Sequence, residues 1–420
     1  MNLTLENFRC FAGKHKIPIK PLTILLGENS TGKTSILAAL SAIFDVGFPS
    51  RPNFNKSPYD LGGFETIASA KGRGGRPVKH FSLGYEASLE SRPDLVQLAT
   101  YKNSRGKLKL AEFRLKGVNA EAHLRRNNAN VYLATLTLRY NGKTDTTRGH
   151  LPADFVDSPY SLMYSELLRL KGQTDDREWH TQFIEAFSVL LPGGAKSIGP
   201  IRMSPRRIYD RVGEGFDPEG AYVPSDLVKI STDRSLSKEK RKLLSALSRF
   251  GNESGLFKAI SVRQFGRKPA GPFQILVNIG NGMASNLIDV GYGVSQSLPI
   301  IVQSVLLGET ALLLLQQPEV HLHPKAQAAL GSFFVDLVAK GKKNLVVETH
   351  SDFIVDRIRQ ECASGAIPPE AVVILYLERK GVGTKVFPLT LDKLGNIEGA
   401  PRSYREFFLR ETMNLLSRGD

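Results

Sequence analysis

Acidic residues are in short supply. The 420-residue chain carries 41 Asp and Glu against 56 Lys and Arg, a formal charge of +15. That balance suits a polyanionic partner, nucleic acid or a membrane surface; a basic protein tolerated in a ribosome-rich cytosol is the plainer reading. Cysteine is nearly absent. Cys10 and Cys362 cannot make a disulfide framework and have no metal-type spacing, so reduced thiols in a cytoplasmic protein are expected. No apolar run reaches membrane-spanning length; that of Ala311 to Leu315 is strand-sized. "MNLTLENFRC" lacks a basic region followed by an apolar stretch, so no signal peptide is expected. There is no internal repeat and no low-complexity tail. Hydrophobic residues make up 41%, enough for a globular chain, and the length favours two lobes over one.

The patterning changes three times along the chain. "MNLTLENFRC" alternates, and "PLTILLG" is a compact apolar strand. "GENSTGKTS" follows, then a helix in which Ile36, Leu40, Ile43 and Phe44 share a face. From about Phe81 to Tyr140, period-two segments joined by polar turns predict an antiparallel sheet. Ser158 to Leu191 reads as helical, and "SKEKRKLLSALSRF" as a basic amphipathic helix, with a Gly- and Pro-rich hinge around Arg206 to Asp226 between them. From Phe273 the order is strand "FQILVNI", helix "SQSLPIIVQSVL" interrupted at Pro299, strand "ALLLL", helix Ala326 to Lys340, strand "NLVVETHS" and helix "DFIVDRIRQECA". Strands and helices in alternation predict a mostly parallel, doubly wound sheet.

Gly27, Gly32, Lys33 and Thr34 fit the phosphate-binding loop G-x-x-x-x-G-K-[ST], and the loop lies between a strand and a helix as its mechanism requires. Glycines let backbone N–H groups of Glu28, Asn29, Ser30 and Thr31 close on phosphate oxygens. Lys33 reaches the terminal phosphates, the Thr34 hydroxyl meets Mg²⁺, and Ser35 continues the helix end. "NKSP" at Asn55 lacks the Asp of a guanine-reading loop, so ATP is the expected nucleotide. "DVGYGVSQSLP" places Gly293 and Ser295 at a second helix start, where Ser295 is an anion ligand or an ordinary cap. "VVETHSD" puts His350 at a strand's carboxyl end, the edge where ligands bind; a capping histidine is the plain alternative.

The order "GENSTGKTS", "GYGVSQSLP", "LLLLQQPEVHLHP" and "VVETHSD" resembles the ATP-binding-cassette type ATPases. The similar branch includes the structural-maintenance-of-chromosomes proteins, RecF and the ATPase half of OLD nucleases. Within it, the chain resembles bacterial AAA-family ATPases with a P-E-x-H-L-H-P motif, frequent in phage-defence systems. "KSIGPIRMSPRRIY" is similar to that group's Gly-Pro-x-Arg segment, and "LGGF" at Leu61 to its early strand. The resemblance implies an α/β fold: a P-loop core with a mostly parallel sheet, an inserted antiparallel β-region and a helical lobe. The expected division is residues 1–70 and 273–395 for the core, 71–157 for the β-region, 158–272 for the helical lobe and linker, and 396–420 for a C-terminal helical tail. It also implies a homodimer or higher even oligomer. In it the Gly27–Ser35 loop of one copy and Ser295 of another enclose ATP, His350 acts as a switch histidine, and His321, His323 and Asp352 lie nearby.

The departure is at the catalytic acids. Relatives carry Asp or Glu where this chain has Gln316 and Gln317. An amide at Gln316 can still ligate Mg²⁺, but it carries no charge, and Gln317 is a very poor base. Losing a general base typically costs about a hundred- to ten-thousandfold in rate. Three readings stay open: a slow ATPase switched by binding, Glu319 standing in for the missing acid, or amides tolerated in an active enzyme. Glu319 as a structural cap of the following helix is the alternative to a catalytic role.

No Asp-x-Asp pair for nuclease metals is present, so a separately encoded effector, nuclease or toxin, would supply any cutting or killing. Candidate DNA or RNA contacts are Lys71, Arg73, Arg76 and Lys79, then Lys102, Arg105, Lys107, Lys109, Arg114 and Lys116, then Lys238, Lys240, Arg241 and Lys242. The expected function is a nucleic-acid-linked sensor or clamp in phage defence or DNA repair; the alternative is a catalytically silent ATP-bound scaffold. A transporter ATPase fits less well, for want of L-S-G-G-Q.

Overall fold

The computed structural model describes residues 1–69, 78–89, 92–117, 120–127, 131–140, 143–152, 194–210, 216–266, 271–280, 282–308, 311–381, 383–404, 406 and 413. The helix expected at Ser158 to Leu191, most of the C-terminal tail, and Lys71, Arg73 and Arg76 lie outside them.

Two large sheets organise the chain. The first is antiparallel and eight-stranded. It starts with a hairpin, β1 (Asn2–Phe8) and β2 (Phe11–Pro18), and continues from β1 into β4 (His80–Leu89), β5 (Arg92–Ser104), β6 (Lys107–Lys116), β7 (Ala120–Arg126), β8 (Val131–Tyr140) and β9 (Lys143–Pro152). The N-terminal strands thus belong to the same sheet as the period-two region. One face is buried, with Leu3, Leu5, Phe81, Leu83, Ala99, Tyr101, Phe113 and Leu115 inward; the other is polar, as alternation requires. Phe8, Phe54, Phe64, Phe81 and Tyr101 form an aromatic cluster under it, and the Tyr101 hydroxyl donates to the Pro49 carbonyl at 2.7 Å.

The second sheet has seven strands in the order β10-β14-β15-β3-β16-β17-β18. These are β3 (Leu22–Gly27), β10 (Ala195–Ile198), β14 (Leu312–Gln316), β15 (Asn344–Glu348), β16 (Val372–Lys380), β17 (Gly383–Leu391) and β18 (Ile397–Glu398). β10 to β16 are mutually parallel; β17 and β18 run antiparallel at one edge. The apolar runs are explained by burial on both faces. Leu25, Leu312, Leu314, Val346 and Leu375 point into a core shared with α1 (Lys33–Ile43) and the antiparallel sheet. Ile24, Leu313, Leu315, Leu345 and Val347 point into the opposite core. That core is covered by α3 (Val223–Thr232), α4 (Ser237–Ser254), α5 (Tyr292–Leu306), α6 (Pro324–Ala339) and α7 (Asp352–Ala363).

Several local expectations are corrected. "FQILVNI" is a strand, β12 (Phe273–Asn278), but it joins β11 (Ala259–Gln264) and β13 (Ser285–Asn286) in a separate three-stranded antiparallel sheet. Its alternating burial fits one packed face. "LGGF" is a turn leading into a short helix, α2 (Phe64–Ile67). The Asn55 side chain accepts the N–H groups of Leu61 and Gly62 there, and Thr66 donates to the Leu61 carbonyl, so local side chains take the backbone bonds a strand would need. Pro299 sits inside α5 without ending it; burial of Leu298, Ile300, Ile301 and Val302 around it outweighs one lost helix bond. No described helix is long and apolar enough to cross a membrane.

Candidate nucleotide site

The site lies at the carboxyl ends of β14, β15 and β3, which are adjacent in that order. β3 delivers the loop and α1 receives it. Gly27 has φ +139, and a Cβ there would strike the Leu377 carbonyl of β16. Gly32 caps α1 with φ 100 and no side-chain hydrogen bond, leaving the first-turn N–H groups without a side-chain cap and open to an anion. A Cβ at Gly32 would strike Cys10 Sγ in the β1–β2 turn. That turn also contacts the loop directly: Cys10 Sγ lies 3.7 Å from the Thr31 carbonyl, and Thr384 of β17 donates its hydroxyl to the same carbonyl at 2.7 Å and its N–H to the Cys10 carbonyl at 3.0 Å.

Lys33 is buried and donates Nζ to the carbonyls of Gly27 at 2.8 Å and Glu28 at 2.7 Å. Burial lowers its pKa, against the opposing pull of Glu348, Glu28 and Glu319. Thr31 is buried and bonds the Glu28 carbonyl at 2.8 Å, while Glu28, Asn29, Ser30 and Thr34 are exposed and Ser35 is buried. The loop's cation is therefore held in place by the loop's own carbonyls.

An acid that sequence reading passed over stands beside it. Glu348 closes β15, between the strand of Gln316 and the strand of the loop, in register with Gln316 on one side and Leu25 on the other. Thr34 donates its hydroxyl to Glu348 at 2.9 Å (Oε2) and 3.1 Å (Oε1), and the Gln316 side chain also hydrogen-bonds it. The carboxyl is 5% exposed. Its pKa is raised, by burial first, with Thr34, Lys33 and Gln316 pulling the other way and Glu319 adding to the rise. The signal was present: "NLVVE" ends an apolar run with a residue type almost never fully buried unless paired.

Gln317 follows with φ +41 and gives its N–H to the Glu348 carbonyl at 2.8 Å. Glu319 does not cap the next helix. His323 does, accepting from Lys325 N–H at 3.4 Å. Glu319 instead accepts the His350 N–H through Oε1 at 2.7 Å, and its Oε2 is enclosed without a hydrogen-bond partner. His350 is exposed. Its pKa is lowered, by lost hydration first and by Lys33 next, against an opposing pull from Glu319.

The second helix start differs from expectation. α5 begins at Tyr292 with Gly291 as its cap. Ser295 lies one turn in, buried, with its hydroxyl bonded back to the Tyr292 carbonyl at 2.8 Å, so it is not the cap. Gly293 passes close over the His321 carbonyl, and the Tyr292 ring meets the His321 ring edge-on at 5.0 Å. Arg202 joins this turn to the strand ends. It is 3% exposed and donates to the carbonyls of Gln296 (3.4 Å), Gln316 (3.3 Å) and Gln317 (3.1 Å). Burial lowers its pKa to about 10, with Glu319 opposing. Its signal in the sequence was the Gly-Pro-x-Arg segment, whose role spacing alone does not reveal.

The candidate nucleic-acid contacts separate. Lys102 and Lys109 line a polar hollow of about 510 Å³ on the open sheet face with Arg125 and Arg126. Arg114 is engaged by Glu112, which also holds His123 at 2.7 Å. Lys79, Arg105, Lys107, Lys116, Lys238, Arg241 and Lys242 are exposed, and Lys240 is tied to the Ser231 carbonyl.

Among known proteins, an OLD nuclease of Thermus scotoductus is 23% identical over 372 residues, which are 86% of this chain and 60% of that protein. The chain thus spans less than two thirds of that relative. Among solved structures, a SmcHead bound to the C-winged helix domain of ScpA aligns with TM-score 0.49 and 13% identity over 93% of this chain and 98% of its own. The SMC head domain from Thermotoga maritima aligns with TM-score 0.41 and 11% identity over 92% and 97%. Residues 1–131 and 210–355, more than half the chain and including the loop, Ser295, both glutamines and Glu348, match the family described as AAA ATPase domain; the chain belongs to that family.

Proposed function

We propose that the chain binds ATP with Mg²⁺ at Gly27–Ser35 and hydrolyses it slowly, as a homodimer or higher even oligomer in which the α5 turn of one copy, with Gly293 and Ser295, closes on the loop of another. The observation that carries this reading is the grouping at one sheet edge of Lys33, Thr34, Glu348, Glu319 and His350. Bound Mg²⁺ would neutralise phosphate charge. Its donors would be oxygens, the hydroxyl of Thr34 and the acid and amide beside it, which suit a hard cation. Lys33 would turn from loop carbonyls to terminal phosphates. Glu319, whose Oε1 accepts the His350 N–H, would be the acid that accepts a proton from water, while Gln317 would orient without accepting. His350, largely neutral at physiological pH, would donate a hydrogen bond to phosphate.

The basic sheet face and the OLD relative support a nucleic-acid-linked sensor or clamp that controls a separate effector in phage defence or DNA repair, working in a cytoplasm. The neutral pair Gln316 and Gln317 favours a second reading, an ATP-bound scaffold without turnover. Single-turnover hydrolysis with and without DNA, beside Glu319→Gln and Gln317→Glu, separates them. We expect slow turnover that Glu319→Gln lowers by about a hundredfold or more. Absence of turnover in wild type, with ATP still tightly bound, would establish the scaffold. Sedimentation with and without ATP tests the oligomer.

A further inference from the structure

We infer that Glu348, not Gln316, is the residue that supplies negative charge to the divalent cation of this site. The inference rests on the ATP-binding reading and deepens it. Three observations carry it.

The first is position. β15 lies between β14 and β3, so its last residue stands between the strand that ends in the glutamines and the strand that launches the phosphate loop. The register pairs Gln316 with Glu348 directly. An acid moved from the end of one strand to the end of its neighbour stays at the same edge.

The second is contact. The Thr34 hydroxyl, exposed at the start of α1, faces both Glu348 oxygens. A hydroxyl and a carboxylate with oxygens converging are a hard-cation donor set once phosphate adds its own oxygens. No other cluster competes: among the described residues no group of three His, Cys, Asp or Glu could hold a metal alone, so a site completed by nucleotide is the arrangement available.

The third is burial. A carboxyl at 5% exposure is costly to keep charged without a cation. Lys33, a cation that pulls on it, has its ammonium bonded to the loop carbonyls of Gly27 and Glu28. Gln316 serves as the neutral neighbour that donates to Glu348. Two acids here would repel each other across one rung of the sheet, so an amide at 316 is what an acid at 348 requires. The glutamines are then half of an exchange, not a loss.

The test uses the full chain, ATPγS as nucleotide and Mn²⁺ as a paramagnetic stand-in for Mg²⁺. Nucleotide affinity is measured by calorimetry with EDTA and with Mn²⁺, and bound Mn²⁺ by electron paramagnetic resonance. In wild type, metal should strengthen nucleotide binding. Glu348→Gln should lose about ten- to a hundredfold of metal affinity with no comparable loss of nucleotide affinity in EDTA, where the acid's charge opposes phosphate. The exchange variant Gln316→Glu with Glu348→Gln should restore much of it, which a merely structural Glu348 would not predict. Undiminished Mn²⁺ binding by folded Glu348→Gln overturns the inference and leaves ATP binding standing, and so does a loss in both variants that is equal with and without metal. Failure of wild type to bind ATPγS under either condition overturns the ATP reading and this inference together.

Discussion

The two large sheets use the same residue types to opposite ends. In the parallel sheet both faces are sealed, so Leu312 to Leu315 and Leu345 to Val347 are buried without interruption. Apart from the small hydroxyls of Thr23 and Ser197, buried within β3 and β10, the polar side chains of the central strands gather where those strands stop, at Gln316 and Glu348. In the antiparallel sheet one face is open, and β6 shows polar and apolar residues in near alternation. Its polar residues are spread over a surface, with Lys102, Lys109, Arg125 and Arg126 around a shallow hollow. A sealed sheet concentrates charge at an edge, where it is desolvated and directional. An open sheet disperses charge in water, where each residue contributes little.

That contrast can be broken at graded cost. The largest effect is expected at the sealed edge. Arg202→Met removes a buried cation and its bonds to three carbonyls and the charge that acts on Glu319, so denaturant unfolding should show a loss of about 3–5 kcal/mol. Beneath the open sheet, Tyr101→Phe removes one buried hydroxyl and leaves the Pro49 carbonyl unpaired; the same measurement should show about 1–2 kcal/mol. On the open face, Lys102→Glu with Lys109→Glu should change stability by less than about 0.5 kcal/mol and leave ATPγS affinity unaltered. Its effect should appear only in nucleic-acid binding at low salt, measured by fluorescence anisotropy. A sheet-face variant that unfolds the protein, or an Arg202 variant that does not weaken it, would erase the distinction.

Much of this was legible before the fold. The strand-to-helix placement of the Gly27–Ser35 loop was legible because such a pattern fixes residue types at fixed spacing. The parallel sheet was legible because strands buried on both faces have an unmistakable composition. Glu348 was not, since its importance depends on which strands are neighbours, and β15 lies between β14 and β3 only in space. Arg202 was missed for the same reason: its three acceptors are backbone carbonyls, invisible in any side-chain pattern. Ser295 was placed on the right helix, but its depth within the first turn was not readable, because Gly291 and not the serine starts α5. The alternating burial of β12 was readable, but its partners were not.

The contact between the β1–β2 turn and the Gly27–Ser35 loop joins the two sheets directly. Cys10 touches Thr31, Gly32 leaves no room for a side chain against it, and Thr384 ties both to the parallel sheet. The loop is therefore held from two sides, by the β1–β2 turn of one sheet and by β17 of the other. Only the single turn between β1 and β2 separates the antiparallel sheet from that loop. A change in the pairing of β1 with β2 would thus displace the loop's own backbone, with no intermediate side chain to absorb it.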